Sequence, residues 1–90
     1  MEVREQVRWF AEQMELKLKE SDHKGGWDGT GIYELIYRLQ GETEELVKAV
    51  DSWIEGKPAK NIIEESADVA NFAMMIADIT RKYLVGESNG

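Results

Sequence analysis

The chain has 90 residues, enough for one domain, and its 18 acidic and 11 basic residues give it a net charge of −7. This acidic excess argues against a nucleic-acid polymer or an anionic membrane as partner, although a small phosphorylated ligand is compatible if a metal ion reverses the local charge. The absence of cysteine excludes disulfides, a thiolate zinc site and a cysteine nucleophile. The N-terminus is too charged for a secretory segment, and no apolar run approaches the roughly 20 residues of a membrane span, so we expect a soluble cytoplasmic protein.

The first element is an amphipathic helix predicted for residues 2–20. Its apolar residues recur at spacings of three and four, at Val3, Val7, Phe10, Met14 and Leu18. Charged and polar residues occupy the opposite positions. Trp9 lies off this stripe, where it either covers a neighbouring subunit or lies on the surface.

A loop is predicted for residues 21–31, because the four glycines there disfavour a stable helix. Trp27 in this loop either plugs the end of the core, which we favour, or lines a pocket for a flat ligand. Lys24 is a candidate phosphate-binding residue, although a single loop lysine is usually just solvated. His23, the only histidine, has no adjacent nucleophile and no metal-ligand partner at helical spacing, so we do not expect it to be catalytic.

A second helix is predicted for residues 31–55, with Thr30 as its N-cap. Its apolar stripe is interrupted at Gly41, Glu42 and Thr43, where an apolar residue would be due. A helix that breaks its own apolar pattern with glycine and carboxylates is often making room for something at that position. The alternative is a solvated kink.

Gly56 and Pro58 predict a turn into a third helix at residues 59–84. This helix is apolar over a wide arc, more than two other helices of the same chain could cover, which predicts a homo-oligomer. We therefore expect a single helical domain at residues 1–84, followed by a flexible C-terminal tail at residues 85–90.

Two acidic pairs stand on either side of that turn, Glu42-x-x-Glu45 and Glu65-x-x-Asp68. Positions three apart project from nearly the same helix face, and both pairs lie roughly 10–16 Å from the turn at 1.5 Å per residue. A hairpin would therefore bring four carboxylates together, and their repulsion would need a compensating cation. Oxygen ligands without histidine or cysteine suit Mg²⁺ or Mn²⁺, which points to phosphate chemistry. The alternative is two solvated acidic faces.

The motifs Glu42-x-x-Glu45-Leu46 and Glu64-Glu65-Ser66-Ala67-Asp68-Val69 resemble those of the MazG-like all-α nucleotide pyrophosphohydrolases. The run from Ala67 to Asp78 and the loop Lys24-Gly25-Gly26-Trp27 resemble a small single-domain branch of that family. The resemblance covers about residues 10–80.

That resemblance implies an all-α fold in which antiparallel helical hairpins form a four-helix-bundle-type active site within a homodimer or homotetramer. It implies Mg²⁺-dependent hydrolysis of a nucleoside triphosphate, NTP or dNTP, between its α and β phosphates. The products would be the nucleoside monophosphate and pyrophosphate.

Residue by residue, the resemblance implies that the metal ligands and catalytic residues are Glu42, Glu45, Glu65 and Asp68. One of the four could instead position or deprotonate the attacking water. Substrate would be bound by Lys24, Trp27, Lys48 and Asn71. For Lys48, the alternative is an ordinary ion pair with Glu45. Gly41 departs from the acidic or bulky residue expected there, without removing a ligand.

A non-catalytic helical module that binds nucleotides or a protein partner, with the carboxylates as surface charge, is the competing prediction. It would show no metal-dependent change in stability or activity. A di-iron carboxylate bundle is nearly excluded, because that class uses Glu-x-x-His on two helices and the sole histidine here lies in a loop.

Overall fold

The fold is all-helical, as the sequence predicts, in a computed structural model that describes residues 1–89, apart from the side chains of Lys60 and residues 87–89. Three α-helices follow one another, α1 (Glu5–Glu20), α2 (Ile32–Ile54) and α3 (Lys60–Asn89). A short 3-10 turn, Asp22–Lys24, lies between α1 and α2. No strand occurs in residues 1–89. None of the helices in this range combines the length and apolar character that crossing a membrane requires.

The helix ends differ from the predicted ones by one to five residues. Helix α1 begins at Glu5 rather than at residue 2, α2 spans Ile32–Ile54 rather than residues 31–55, and α3 begins at Lys60 rather than at residue 59. The N-cap of α2 is Gly31 rather than Thr30, and no side chain caps this end. Helix α3 continues past Leu84 as far as Asn89, so residues 85–89 of the predicted tail are helical. Gly90 lies outside the described residues. Helix α2 passes through Gly41 without a break, so its apolar pattern is interrupted while its backbone is not.

The turn between α2 and α3 is built by Gly56, which has a φ of 99°, a conformation that glycine adopts without steric cost. Its N–H donates to the carbonyl of Trp53 at 2.9 Å, and the N–H of Lys57 donates to the carbonyl of Ser52 at 3.0 Å. These two bonds form a Schellman motif, which satisfies the last carbonyls of α2 and ends the helix. The turn then directs α3 back along α2.

Helix α3 is the central element, because α1 and α2 both pack against it. Within the described residues, the backbones of α1 and α2 do not approach each other closely. Helices α1 and α2 therefore both lie against α3.

The core of a single chain is small. Leu35 and Ala67 are its buried apolar residues in the described part of the chain, whereas Trp9, Trp53 and Tyr83 are about half exposed or more. The radius of gyration is 15.3 Å, where a compact domain of this length would have about 12 Å. The accessible surface is 7089 Å², against about 5,400 Å² for a typical monomer of this mass. Much apolar surface is therefore left uncovered.

Candidate metal and nucleotide site

Three carboxylates converge where α2 and α3 run side by side. Glu42 of α2 faces Glu65 and Asp68 of α3, and one oxygen from each lies within 4.8 Å of the others. The helical spacing of Glu65 and Asp68 aims both at α2, and the hairpin brings Glu42 level with them. Three of the four predicted ligands are thus brought together.

Two carboxylates of this cluster, those of Glu42 and Asp68, have raised pKa values. Partial burial raises the pKa of Glu42, and the negative charges of Asp68 and Glu65 raise it further. Partial burial also raises the pKa of Asp68, while the ammonium of Lys17 opposes the shift. Both shifts follow from placing like charges together in a partly desolvated position. A cation among these oxygens would relieve the repulsion.

Helix α1 places the positively charged side chain of Lys17 at the edge of this cluster. The Nζ of Lys17 lies 3.9 Å from Oδ2 of Asp68 and 3.1 Å from Oε2 of Glu20. The hydrogen bond to Glu20, followed by the charge of Asp68, raises the pKa of Lys17 against the opposing effect of burial. Lys17 was not among the predicted site residues, because its partner Asp68 lies 51 residues further along the chain and no local sequence pattern links them.

The donor set fits a small hard divalent cation. Oxygen ligands about 2.1 Å from a single Mg²⁺ lie roughly 3–4 Å from one another, so the spacing in the cluster needs only a slight contraction. All three donors are carboxylate oxygens, which Mg²⁺ and Mn²⁺ prefer. Glu42, Glu65 and Asp68 are therefore the residues that could hold such an ion.

Glu45, the fourth predicted ligand, is not part of this group of three. Its carboxylate is about half exposed and accepts a hydrogen bond from Nζ of Lys48 at 3.4 Å. The ion pair foreseen as the alternative role of Lys48 is therefore present. Both side chains line an open groove of about 510 Å³ between α2 and α3, which Glu65 also lines. Glu45 thus lies beside the cluster rather than in it.

Asn71, a predicted substrate-binding residue, is buried and tethers α1 to α3. Its side-chain N–H donates to the backbone carbonyl of Met14 at 3.0 Å. Its Oδ1 is buried and has no hydrogen-bond partner among the described residues. Such an orphaned acceptor is uncommon, because buried polar atoms are nearly always paired.

A separate cavity of about 310 Å³, which we call the tryptophan pocket, lies under the glycine-rich loop. Its walls include Lys24 and Trp27 of the loop and Phe72 and Met75 of α3, one and two turns beyond Asp68. Arg38 of α2 also lines it. The two predicted loop residues are thus brought to one concave, partly aromatic site. His23 lies outside it, exposed in the 3-10 turn.

Trp27 is held in place by Asp78, a residue the sequence analysis did not single out. Its indole Nε1–H donates to Oδ2 of Asp78 at 3.0 Å. Arg81 and Lys82 also bind this carboxylate, at 2.7 and 2.9 Å, and Lys82 reaches Asp28 of the loop at 2.7 Å. Hydrogen bonds from Lys82, Trp27 and Arg81 lower the pKa of Asp78 to about 2. Trp27 therefore both anchors the loop and forms a wall of the pocket.

Comparison of the chain with protein-family models, with curated proteins and with solved structures found no match. The functional proposal therefore depends on the geometry of this site and on the resemblance of its motifs.

Proposed function

We propose that the chain is a nucleoside triphosphate pyrophosphohydrolase that depends on Mg²⁺, with Mn²⁺ as a possible substitute, and acts as a homodimer or homotetramer. The observation that carries this proposal is the approach of Glu42, Glu65 and Asp68 to within 4.8 Å across the α2–α3 hairpin. The motif resemblance and the adjacent tryptophan pocket support it.

In this proposal Glu42, Glu65 and Asp68 hold the ion. When bound, it supplies positive charge to the phosphate oxygens and lowers the pKa of a bound water. Rigid helices fix the three carboxylates, which suits a reaction that depends on positioning and charge neutralisation more than on covalent catalysis. The ammonium group of Lys17, at the edge of the cluster, offsets part of the negative charge of the carboxylates.

The reaction is a hydrolysis. The oxygen of a water molecule forms a bond to the α-phosphorus, and the bond from that phosphorus to the α–β bridging oxygen breaks. The bridging oxygen leaves with its electron pair as part of pyrophosphate. We assign the proton of the attacking water to Glu45, because this carboxylate lies beside the cluster without belonging to the group of three.

The nucleoside would occupy the tryptophan pocket. Trp27, Phe72 and Met75 offer aromatic and apolar surface to a base, and Lys24 adds a cation at the rim. Asn71 is buried and does not line this pocket, so in this proposal it contributes by holding α1 against α3 through the carbonyl of Met14.

Association of several copies is supported by the shape and surface of a single chain. The accessible surface exceeds that of a typical monomer by roughly 1,700 Å², comparable to the total area that a standard interface buries. Exposed aromatic and aliphatic side chains such as Trp9, Trp53 and Ile54 contribute to it. A second copy would cover apolar surface that α1 and α2 leave open.

The test is pyrophosphate release from a panel of ribo- and deoxynucleoside triphosphates with Mg²⁺. We expect release by the unaltered chain and at least about a hundredfold loss in Glu65→Gln, since metal-centred charge stabilisation is worth several kcal/mol. Glu44→Gln is the matched control, because Glu44 is an exposed neighbour outside the cluster.

The variant Glu45→Gln distinguishes the carboxylate proposed to accept the proton from the carboxylates proposed to hold the metal ion. If Glu45 accepts the proton, this variant loses turnover but keeps the Mg²⁺-dependent rise in unfolding temperature, whereas Glu65→Gln loses both. A chain that releases no pyrophosphate and gains no stability from Mg²⁺ with nucleotide would instead be the non-catalytic helical module.

A further inference from the structure

Lys17 lies between the carboxylate cluster and further acidic side chains of α1 and α3. Its Nζ is 3.9 Å from Oδ2 of Asp68, a member of the cluster, and 3.1 Å from Oε2 of Glu20. A small cavity of about 140 Å³ is lined by Lys17 together with Glu20 and Glu64. Among the side chains that the structure describes, Lys17 is the one basic group paired with a carboxylate of the cluster. The chain therefore supplies a cation of its own to the cluster.

The position of Lys17 is set by the packing of α1 against α3. Ala67, next to Asp68, is fully buried and lines the same small cavity as Lys17, so only a methyl group separates the two helices at this level. The side-chain N–H of the buried Asn71 donates to the carbonyl of Met14, one turn before Lys17, at 3.0 Å. Neither contact involves the ammonium group, so α1 stays docked if Lys17 changes its partner.

The two ion pairs of Lys17 differ in length and in surroundings. The pair with Glu20 is the shorter one and involves a side chain that is 63 % exposed, whereas the side chain of Asp68 is 25 % exposed. A lysine ammonium is a compact charge on a flexible four-carbon stem. It can therefore turn from one carboxylate to the other without a shift of the backbone.

A divalent ion at the cluster and the ammonium of Lys17 would compete for one carboxylate. Asp68 is among the three residues that could hold such an ion, and it is also the partner of Lys17. Like charges a few ångströms apart repel each other, and they do so more strongly in a partly buried position than in water. The cluster should thus bind an ion less tightly than its three carboxylates alone would.

We propose that Lys17 is a built-in counter-cation that sets the affinity of the cluster for a divalent ion. It pairs with Asp68 while the ion is absent and with Glu20 once the ion is bound. This rests on the proposed function and deepens it, because it assigns a regulation to the same site. The lysine reduces the repulsion among the carboxylates before the ion arrives and weakens the binding of the ion afterwards.

Binding of Mn²⁺, measured by titration calorimetry at low ionic strength, tests this proposal without any substrate. We expect Lys17→Met, which keeps the length of the side chain and removes its charge, to bind Mn²⁺ about tenfold more tightly than the unaltered chain. Lys17→Gln, a second neutral variant, should show a similar gain. Lys17→Arg keeps the charge and should stay close to the unaltered chain. Lys19→Met is the matched control, because Lys19 is an exposed lysine of the same helix outside the cluster.

The dependence on salt distinguishes an effect of charge from an effect of packing. The gain in affinity should shrink as potassium chloride is added, because dissolved ions screen the repulsion between the ammonium and the metal ion. An affinity that is unchanged or weaker in both neutral variants would overturn the proposal. A gain that does not respond to salt would also overturn it, since it would assign a packing role to the side chain.

The same titrations separate this inference from the proposed function. Binding of Mn²⁺ with the expected order of variants, but without pyrophosphate release from any nucleotide, would reject the hydrolysis and retain the role of Lys17. If the neutral variants bind Mn²⁺ and the unaltered chain does not, the lysine excludes the ion, which supports its role as counter-cation and rejects a metal-dependent activity. If neither the unaltered chain nor the variants bind Mn²⁺, both proposals are rejected.

Discussion

The indole N–H of Trp27 donates to the buried carboxylate of Asp78 at 3.0 Å, across 51 residues of sequence. This bond ties the glycine-rich loop to the second half of α3, and Lys82 reinforces it by binding both Asp78 and Asp28. The wall of the tryptophan pocket is thereby fixed before any ligand binds, which reduces the ordering that a ligand must impose.

Asp78→Asn is expected to lower the unfolding temperature at pH 7 and to speed amide exchange in the loop. Because hydrogen bonds hold the pKa of Asp78 at about 2, below its ordinary 3.8, its contribution to stability is present above pH 3.8 and is lost as the pH falls towards 2. Calorimetry across that range should show the variant and the unaltered chain converging in acid. Asp51→Asn, an exposed aspartate of α2, is the control, and equal behaviour of both variants would contradict the anchoring role.

Glu42→Gln should change how stability depends on pH in metal-free protein. The folded chain holds the pKa values of Glu42 and Asp68 above their ordinary 4.5 and 3.8, so it binds more protons than the unfolded chain just above those values. Stability from these groups therefore falls as the pH rises through that window and stays lower at neutral pH.

Thermal unfolding between pH 4 and 7 measures this effect. We expect Glu42→Gln to be the more stable chain at pH 7 without metal, and saturating Mg²⁺ to reverse that order. If both chains show the same pH dependence of the unfolding temperature and neither responds to Mg²⁺, the carboxylates of the cluster neither repel one another nor bind a cation.

Gly41→Ala should stabilise the fold. Gly41 lies within the unbroken helix α2, and a Cβ there would meet no atom within 4 Å. Replacing glycine by alanine inside a helix is worth about 0.5–1 kcal/mol, which corresponds to roughly 2–8 °C in a domain of this size. Differential scanning calorimetry checks the shift, and a lower unfolding temperature would indicate that a neighbouring copy contacts this position.

If the chain associates as proposed, its unfolding temperature should rise with protein concentration, because association stabilises the folded chain by mass action. The large uncovered apolar surface is the physical reason. Unfolding scans at micromolar and at hundredfold higher concentration, alongside sedimentation velocity, would measure this. A concentration-independent midpoint from a monodisperse monomer would contradict the oligomer.

The helices were predictable because apolar residues recur at helical spacing and because Gly56 and Pro58 mark the turn between α2 and α3. The end of α3 was not predictable, since residues 85–90 form a polar segment that ends in glycine and suggests a mobile tail, whereas the backbone continues as a helix to Asn89. Thr30 was a suitable cap by residue type, but the chain enters α2 one residue later, at Gly31.

The cluster was predictable in part. Glu65 and Asp68 follow from spacing on α3, and Glu42 follows from the hairpin. Glu45 lies in the groove beside the cluster. Residues three apart are offset by about 60° around a helix, so the rotation of each helix about its axis decides whether one or both members of a pair face the partner helix, and spacing in the sequence does not give that rotation. Lys17 and Asp78 could not be inferred, because each meets its partner through tertiary packing over 51 residues.

Helix α1 packs against α3, which lies far from it in the sequence, and this bears on the order of folding. Helices α2 and α3 are joined by a five-residue turn, so their contacts close a short loop, whereas α1 must close a loop of some fifty residues. Local contacts form sooner than distant ones. We therefore expect the α2–α3 hairpin to bring its carboxylates together before α1 docks and places Lys17 beside them. Substitutions that remove contacts between α1 and α3 should then accelerate unfolding more than they slow folding.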